Sequence, residues 1–292
     1  IVQAARVSYG KGTSKLSQDR GLIRYLMRHR HSTPFEMVEF KFHCKMPIFV
    51  ARQWVRHRTA NINEYSLRYS EARDEFYYPD PDHIQFQSAL NKQGRMGDVP
   101  LELKQRVTKY FKDISDKSFA IYSELNEAGV ARELARAILP VNLYTEWYWK
   151  NDLHNLLHFI GLRSDSHAQY EIRVFSDAMA ESVKKVAPYA WEAYQDYAVK
   201  GLRFSRIEQS LLQKELPNRV IDDINEDIAY QLTATLNHNK PRDEKDLYSL
   251  YQKQGGSDSD TDFYLKWNSG EVEIGNVREL REFKSKIEGF KN

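Results

Sequence analysis

Residues Val38, Phe40, Phe42, Cys44 and Met46 alternate with Glu39, Lys41, His43 and Lys45. A period of two puts the apolar set on one face and the charged set on the other, so this stretch is a strand with one side buried. Ahead of it, Ser17-Gln18-Asp19-Arg20 starts a helix in which Leu22, Ile23, Leu26 and Met27 recur at helical spacing to about Arg30. The turn Ser32-Thr33-Pro34 joins the two. The apolar run Ile48–Val55 predicts a helix ending near Arg58, and Tyr65–Tyr69 alternates as a short strand with Ser66 and Arg68 on one face. Glu75–Pro79 reads as a short aromatic strand and Gln87–Pro100 as a polar loop. Pro100 to Glu127 is a long amphipathic helix stopped at Gly129, and a shorter helix runs from about Arg132 to Ile138, into Pro140.

Asn142–Trp149 then reads as a strand with aromatics on both faces, which predicts burial or an interface. A helix starting near Asn151-Asp152 follows, and Ser166–Val186 and Tyr189–Lys200 make two more around Pro188. After Gly201, Ile207–Leu216 and Arg219–Leu236 are helix-like, Gly255–Asp262 has the composition of a linker, and Tyr264–Ile274 with Asn276–Gly289 reads as a hairpin followed by a helix. The expected fold is α+β, a mostly antiparallel sheet packed by helices over residues 1–203, with a mainly helical C-terminal appendage over 204–292. No catalytic constellation falls in the appendage, so an accessory or oligomer-stabilising role is expected there.

Composition narrows the function classes. With 43 basic against 41 acidic residues the net charge is only +2, so any polyanion site is local rather than a property of the whole surface. A single cysteine, Cys44, excludes an intrachain disulfide framework and fits a reducing compartment. No apolar run reaches membrane-spanning length and no signal-peptide pattern opens the chain, so a cytoplasmic protein is expected.

The chemistry concentrates in Arg52–Ser70, RQWVRHRTANINEYSLRYS. Arg52, Arg56, Arg58 and Arg68 lie in it and Arg73 follows, while no lysine occurs between Lys45 and Lys92. A guanidinium matches phosphate and carboxylate two bonds at a time, where an ammonium is a point charge, so the bias points to oriented oxyanion recognition. Gln53, His57, Asn61, Asn63 and Ser66 add donors, and Glu64 can accept from a ribose hydroxyl or an imide N–H. Such a stretch also suits a nucleic-acid-binding surface of arginines and aromatics. A third reading comes from His154 and His158, four apart on one helix face with Asp165 and His167 following, as in a metal-dependent hydrolase. Against it, HNLLH lacks the glutamate base of the zinc-protease pattern and no cysteine is near.

The order of the residues resembles a known signature. Arg56-His57-Arg58, seven residues, then Ser66, with Asn63-Glu64 before it and Arg68 after it, is similar to the motif of the flavin-dependent thymidylate synthases. The resemblance continues through HSTPFE (31–36), PIFVARQW (47–54), ARAILPVNLYT (135–145) and LRSDSHAQYEIR (162–173), and covers roughly residues 2–200. Val2–Ser8 already looks like the interior of the family pattern, so further sequence ahead of Ile1 is expected.

What this resemblance implies is methylation of dUMP at the uracil C5, with methylenetetrahydrofolate as carbon donor and NADPH supplying electrons through FAD. It implies a homotetramer with active sites between subunits, and no nucleic-acid or membrane partner. Carried over position by position, Gln53, Arg56, Ser66, Arg68 and Arg136 would hold dUMP. Arg163 would contact the pyrimidine and stabilise its developing negative charge. His31, the second residue with an expected catalytic role, belongs with Thr33 and Glu36 to the flavin and folate region. Arg56, His57, Arg58, Asn63 and Glu64 would face FAD. Asp152, His154 and His158 fall on flavin-contacting positions where some members have Asn, Arg and Asn, and His167 resembles the histidine of the family's D-x-H-A-Q run. No metal is expected. The FAD diphosphate finds no glycine-rich cradle here, so side chains must hold it.

Overall fold

Cross-strand pairing follows the alternation. In the computed structural model, which describes residues 1–7, 16–89, 94–216, 220–226 and 277–289, strand β1 (Glu39–Pro47) pairs antiparallel with β5 (Tyr144–Asp152) from Glu39↔Asp152 to Pro47↔Tyr144. The other side of β5 takes β2 (Asn61–Glu64), from Asn61↔Lys150 to Glu64↔Trp147, giving the order β1-β5-β2. One face collects Phe42, Cys44, Met46, Thr145, Trp147 and Trp149, and the helices α4 (Ile48–Trp54), α7 (Leu153–Arg163) and α8 (Tyr170–Val186) supply its cover. Trp54, fully buried, centres that cover, with ring centroids 5.4 Å from Trp147, 5.3 Å from Trp149, 5.0 Å from Phe159 and 5.6 Å from Phe175. The opposite face is polar: His43 stacks on half-exposed Tyr148 at 4.6 Å, and Lys150 pairs with Glu39 at 2.7 Å. The aromatics of β5 thus divide by parity, tryptophans inward and tyrosines outward.

Helix α2 (Leu16–Arg28) ends where Arg30 takes φ 58 and the His31 N–H reaches the Leu26 carbonyl at 2.9 Å. A left-handed residue at a helix end closes the last turn, and here it sets the exit of the His31 loop into the short helix α3 (Thr33–Glu36). The long helix α5 (Leu101–Glu127) closes the same way at Gly129, φ 80. Gly161 lets α7 approach α9 (Pro188–Tyr194), since a β-carbon there would stand 2.8 Å from the Tyr194 hydroxyl.

Three expectations need correction. Tyr65–Tyr69 is not a strand: it leads into a turn at 67–69, and the strand lies just before it at Asn61–Glu64. The N–H groups of Tyr69 and Ser70 both donate to the Ser66 carbonyl, at 3.2 and 3.0 Å, and the Arg68 N–H donates to Ser66 Oγ at 3.3 Å. A serine side chain that satisfies the backbone locally competes with the sheet ladder, and here it wins. Glu75–Pro79 forms one bridge, Phe76 with Leu143, rather than a strand. Within Gln87–Pro100, Phe86–Gln87 (β3) pairs with Arg95–Met96 (β4). The cause is Arg95, which donates to both Glu171 oxygens at 2.6 and 2.7 Å and to the His83 carbonyl at 2.9 Å, pinning the segment to the start of α8.

The chain divides into two compact units, residues 1–201 and 202–292. In the second, α10 (Arg206–Glu215) opens on a capping box of Ser205 and Glu208, and Val277–Glu288 is helical. The expected linker Gly255–Asp262 and hairpin Tyr264–Ile274 lie outside the described residues, as does most of Arg219–Leu236. Among the described residues no helix is long and apolar enough to cross a membrane.

Candidate active site

Helix α4 stops at Trp54, and the His57 N–H closes its end on the Trp54 carbonyl at 2.9 Å. The turn sends His57 inward, 8% exposed, and leaves Arg56 and Arg58 exposed on either side. Among the described residues neither arginine makes an ion pair, nor does Arg52, whereas Arg68 and Arg73 pair with Glu133 and Glu146 at 3.1 and 3.5 Å. Unneutralised guanidinium groups are what an incoming oxyanion needs.

Against His57 stand the aromatic wall and helix α7. Its ring centroid lies 6.0 Å from Trp149, 5.4 Å from Phe159 and 5.8 Å from His158. Burial, with His158 and Arg163 nearby, lowers its pKa, and Asp152 opposes them only in part. Neutral imidazole is therefore favoured. Asp152 caps α7, its carboxylate accepting from Asn155 N and Nδ2 at 2.9 and 2.8 Å. His154 and His158 share the exposed side of that helix, and Arg163 ends it. Gln53 Oε1 and Arg163 Nε are both buried without a hydrogen-bond partner among the described residues. Buried polar groups in folded proteins are almost always satisfied, so these two atoms, on the segment of the arginine signature and at the end of α7, are open to a ligand or to water.

A second cluster surrounds Ser66. Arg68 reaches Glu133 on α6 (Arg132–Ala135), one turn ahead of half-buried Arg136. Among the described residues no hydrogen bond, ion pair or ring contact joins Ser66, Arg68 or Arg136 to His57, Asp152, His158 or Arg163. Pairing of β2 also separates two residues expected together: Asn63 lies opposite Tyr148 on the outer face, while Glu64 lies opposite Trp147 and accepts from the Thr145 hydroxyl at 2.7 Å. His31 is exposed, stacked 5.8 Å from Tyr25, with exposed Thr33 and half-buried Glu36 following. His167 is exposed and bonded to Asp165 at 2.8 Å. Among the described residues no three of His, Cys, Asp and Glu stand close enough to hold a metal ion. Sequence reading missed Asn151 and Thr59, whose side chains meet His57 Nε2 at 3.2 and 3.1 Å. A signal existed for the first, because Asn151 shares the parity of Trp147 and Trp149 and so puts an amide on an apolar face.

Residues 1–189 match the family described as thymidylate synthase complementing protein. A flavin-dependent thymidylate synthase of Rickettsia conorii is 54% identical over 219 residues, 70% of this chain and 74% of that protein. Another, from Dictyostelium discoideum, is 53% identical over 220 residues, 74% of this chain and 71% of the relative. Among solved structures, the UMP/dUMP methylase PolB of Streptomyces cacaoi bound with 5-Br dUMP superposes with a TM-score of 0.61 at 34% identity, covering 66% of this chain and 88% of that one. With that match extending across the sheet, the arginine turn and helix α7, the chain belongs to the flavin-dependent thymidylate synthase family.

Proposed function

We propose that this chain makes dTMP from dUMP, taking the carbon from methylenetetrahydrofolate and electrons from NADPH through FAD. The observation that carries the reading is the set of polar groups on the family-matched segment that have no partner among the described residues: the Arg56 and Arg58 guanidiniums and Arg163 Nε as donors, and Gln53 Oε1 as an acceptor. Bound FAD supplies the hydride that activates the uracil ring. Arg56, His57, Arg58 and the α7 face of Asp152, His154 and His158 hold it, with Thr33, Glu36, Asn63, Glu64 and His167 contributing around it. Ser66 and Arg68 grip the dUMP phosphate, aided by Gln53, Arg56 and Arg136. Arg163 would bind the uracil and stabilise charge as it develops, and His31 would belong to the flavin and folate region.

Two observations support a homotetramer with sites completed between subunits. Among the described residues no hydrogen bond, ion pair or ring contact joins the phosphate cluster to the His57 cluster, and β2 offers Asn63 and Glu64 to opposite faces. Residues 204–292 serve assembly rather than chemistry. The enzyme works in the cytoplasm.

The test begins with the Arg68→Ala protein. A yellow, flavin-loaded preparation should bind dUMP at least about tenfold more weakly than the parent, since a hydrogen bond to a charged group contributes about 1.5–3 kcal/mol. The exposed Arg68–Glu133 pair costs little to give up, so phosphate can displace it. Unchanged dUMP affinity would remove Arg68 from the site.

Cys44 bears on the mechanism. It is the chain's one cysteine, buried on the inner face of β1, and burial pushes its thiol up to about 11. A thiol held protonated is a poor nucleophile. Cys44→Ala is therefore expected to keep near-normal single-turnover dTMP formation, losing about 0.5–3 kcal/mol of stability as a core truncation. Complete loss of turnover in folded, dUMP-binding protein would contradict a mechanism without an enzyme thiolate.

A further inference from the structure

An amide NH2 has only protons to offer, and the one on Asn151 is aimed at a ring nitrogen. Asn151 is 2% exposed on the inner face of β5, and its Nδ2 lies 3.2 Å from His57 Nε2. For that contact to be a hydrogen bond, Nε2 must present a lone pair. The Thr59 hydroxyl, 3.1 Å from the same nitrogen, can rotate to donate as well. The proton of a neutral His57 then sits on Nδ1. We infer that Asn151 is a positioning residue that locks His57 in the uncharged Nδ1–H tautomer, giving the flavin pocket a fixed neutral donor.

The charged surroundings agree. From α7, His158 and Arg163 bring positive charge to the imidazole, and Asp152 from the junction of β5 and α7 brings negative charge. Burial weighs more than any of them, and the sum opposes protonation. Arg56 and Arg58 flank His57 in sequence and add no compensating acid. An imidazolium at this position would stand beside Arg163 with its Nε2 proton directed at an amide proton. Neutrality removes both conflicts. What His57 then contributes is a directed hydrogen bond, and the positive charge of the site is left to the arginines.

The inference rests on the reading of this pocket as the flavin site, and the two can fail separately. Histidine-labelled full chain, flavin-free and flavin-loaded, is examined by 15N NMR across pH, with Asn151→Asp and Thr59→Val beside the parent. In the parent, His57 should report a protonated Nδ1 and an unprotonated Nε2, and should titrate below the ordinary histidine value of about 6.5. Asn151→Asp presents only acceptors, so His57 should move to the Nε2–H form or the imidazolium, titrate at higher pH, and lose about fivefold in flavin affinity. Thr59→Val should keep the parent tautomer, which guards against a general packing effect and supplies a folded comparison if Asn151→Asp is unstable. A parent His57 protonated on Nε2, or one titrating near 6.5, overturns the inference. So does a Thr59→Val protein whose tautomer changes while Asn151 is intact. A tautomer that switches in Asn151→Asp with flavin affinity unchanged supports the lock and overturns the assignment of His57 to the flavin.

Discussion

Arg95→Ala is expected to destabilise the amino-terminal unit by roughly 3–5 kcal/mol, because it strands a buried carboxylate. Glu171 is 5% exposed, and its partners are Arg95 at 2.6 and 2.7 Å and the Tyr77 hydroxyl at 2.8 Å. Burial alone would raise the carboxyl's pKa. The hydrogen bonds from Arg95 and Tyr77 outweigh it and hold the group below its usual value. The sign follows from linkage: with the folded pKa depressed, the contribution is fully present above the unfolded value of about 4.3 and is lost as pH falls through the folded one. Without Arg95, burial is opposed by the Tyr77 and backbone hydrogen bonds alone, so the folded pKa should rise and the variant should lose less stability on acidification than the parent does. Thermal melts of both proteins between pH 4 and 8 check this. Parallel pH profiles would count against it. The double variant Arg95→Ala, Glu171→Gln should recover part of the loss, since the stranded charge is gone.

Arg163→Ala is expected to lower dTMP formation about 10²–10³-fold, the loss found on removing one preorganised donor to developing charge. Arg163 ends α7, with Nε buried and without a partner among the described residues. A cation in the last turn of a helix is worth about 0.3–1 kcal/mol to folding, so the protein should remain folded and yellow. Arg163→Lys should restore only part of the rate, because an ammonium cannot span two acceptors on a planar base. Single-turnover measurement in flavin-loaded, dUMP-saturated protein isolates the step. A rate within tenfold of the parent would remove Arg163 from the reacting ring.

Strand β1, the helix from Leu101 and the cap of α7 at Asp152 were legible because each rests on local pattern: period two, period 3.6, or a side chain capping its own helix. The turn at Ser66 was not, since its alternating aromatics satisfy a strand template while one serine satisfies the backbone in place of a neighbour. Nor was the tie between Arg95 and Glu171. Nothing in a polar segment says that one of its arginines will find a buried acid 76 residues away. The arginine signature offered candidate residues for a site, but parity in β2 decides that Asn63 and Glu64 face apart, and that requires the register with β5. Thr59, and the contact that Asn151 makes, escaped for the same reason. They touch a histidine, and only the folded chain brings β5 under the turn after α4.

The register between β1 and β5 also dictates an order of events during synthesis. Glu39 pairs with Asp152, so the central strand of the sheet leaves the ribosome long after its first partner. Until then β1 carries Phe42, Cys44 and Met46 with no strand to cover them, and α4 has neither Trp147 nor Trp149 to receive Trp54. Pairings this distant in sequence close slowly, because the loop entropy is lost before the contacts form. The nascent chain therefore passes through a long interval with its aromatic core exposed, in which a chaperone that shields apolar segments would govern how much of the protein reaches the native state.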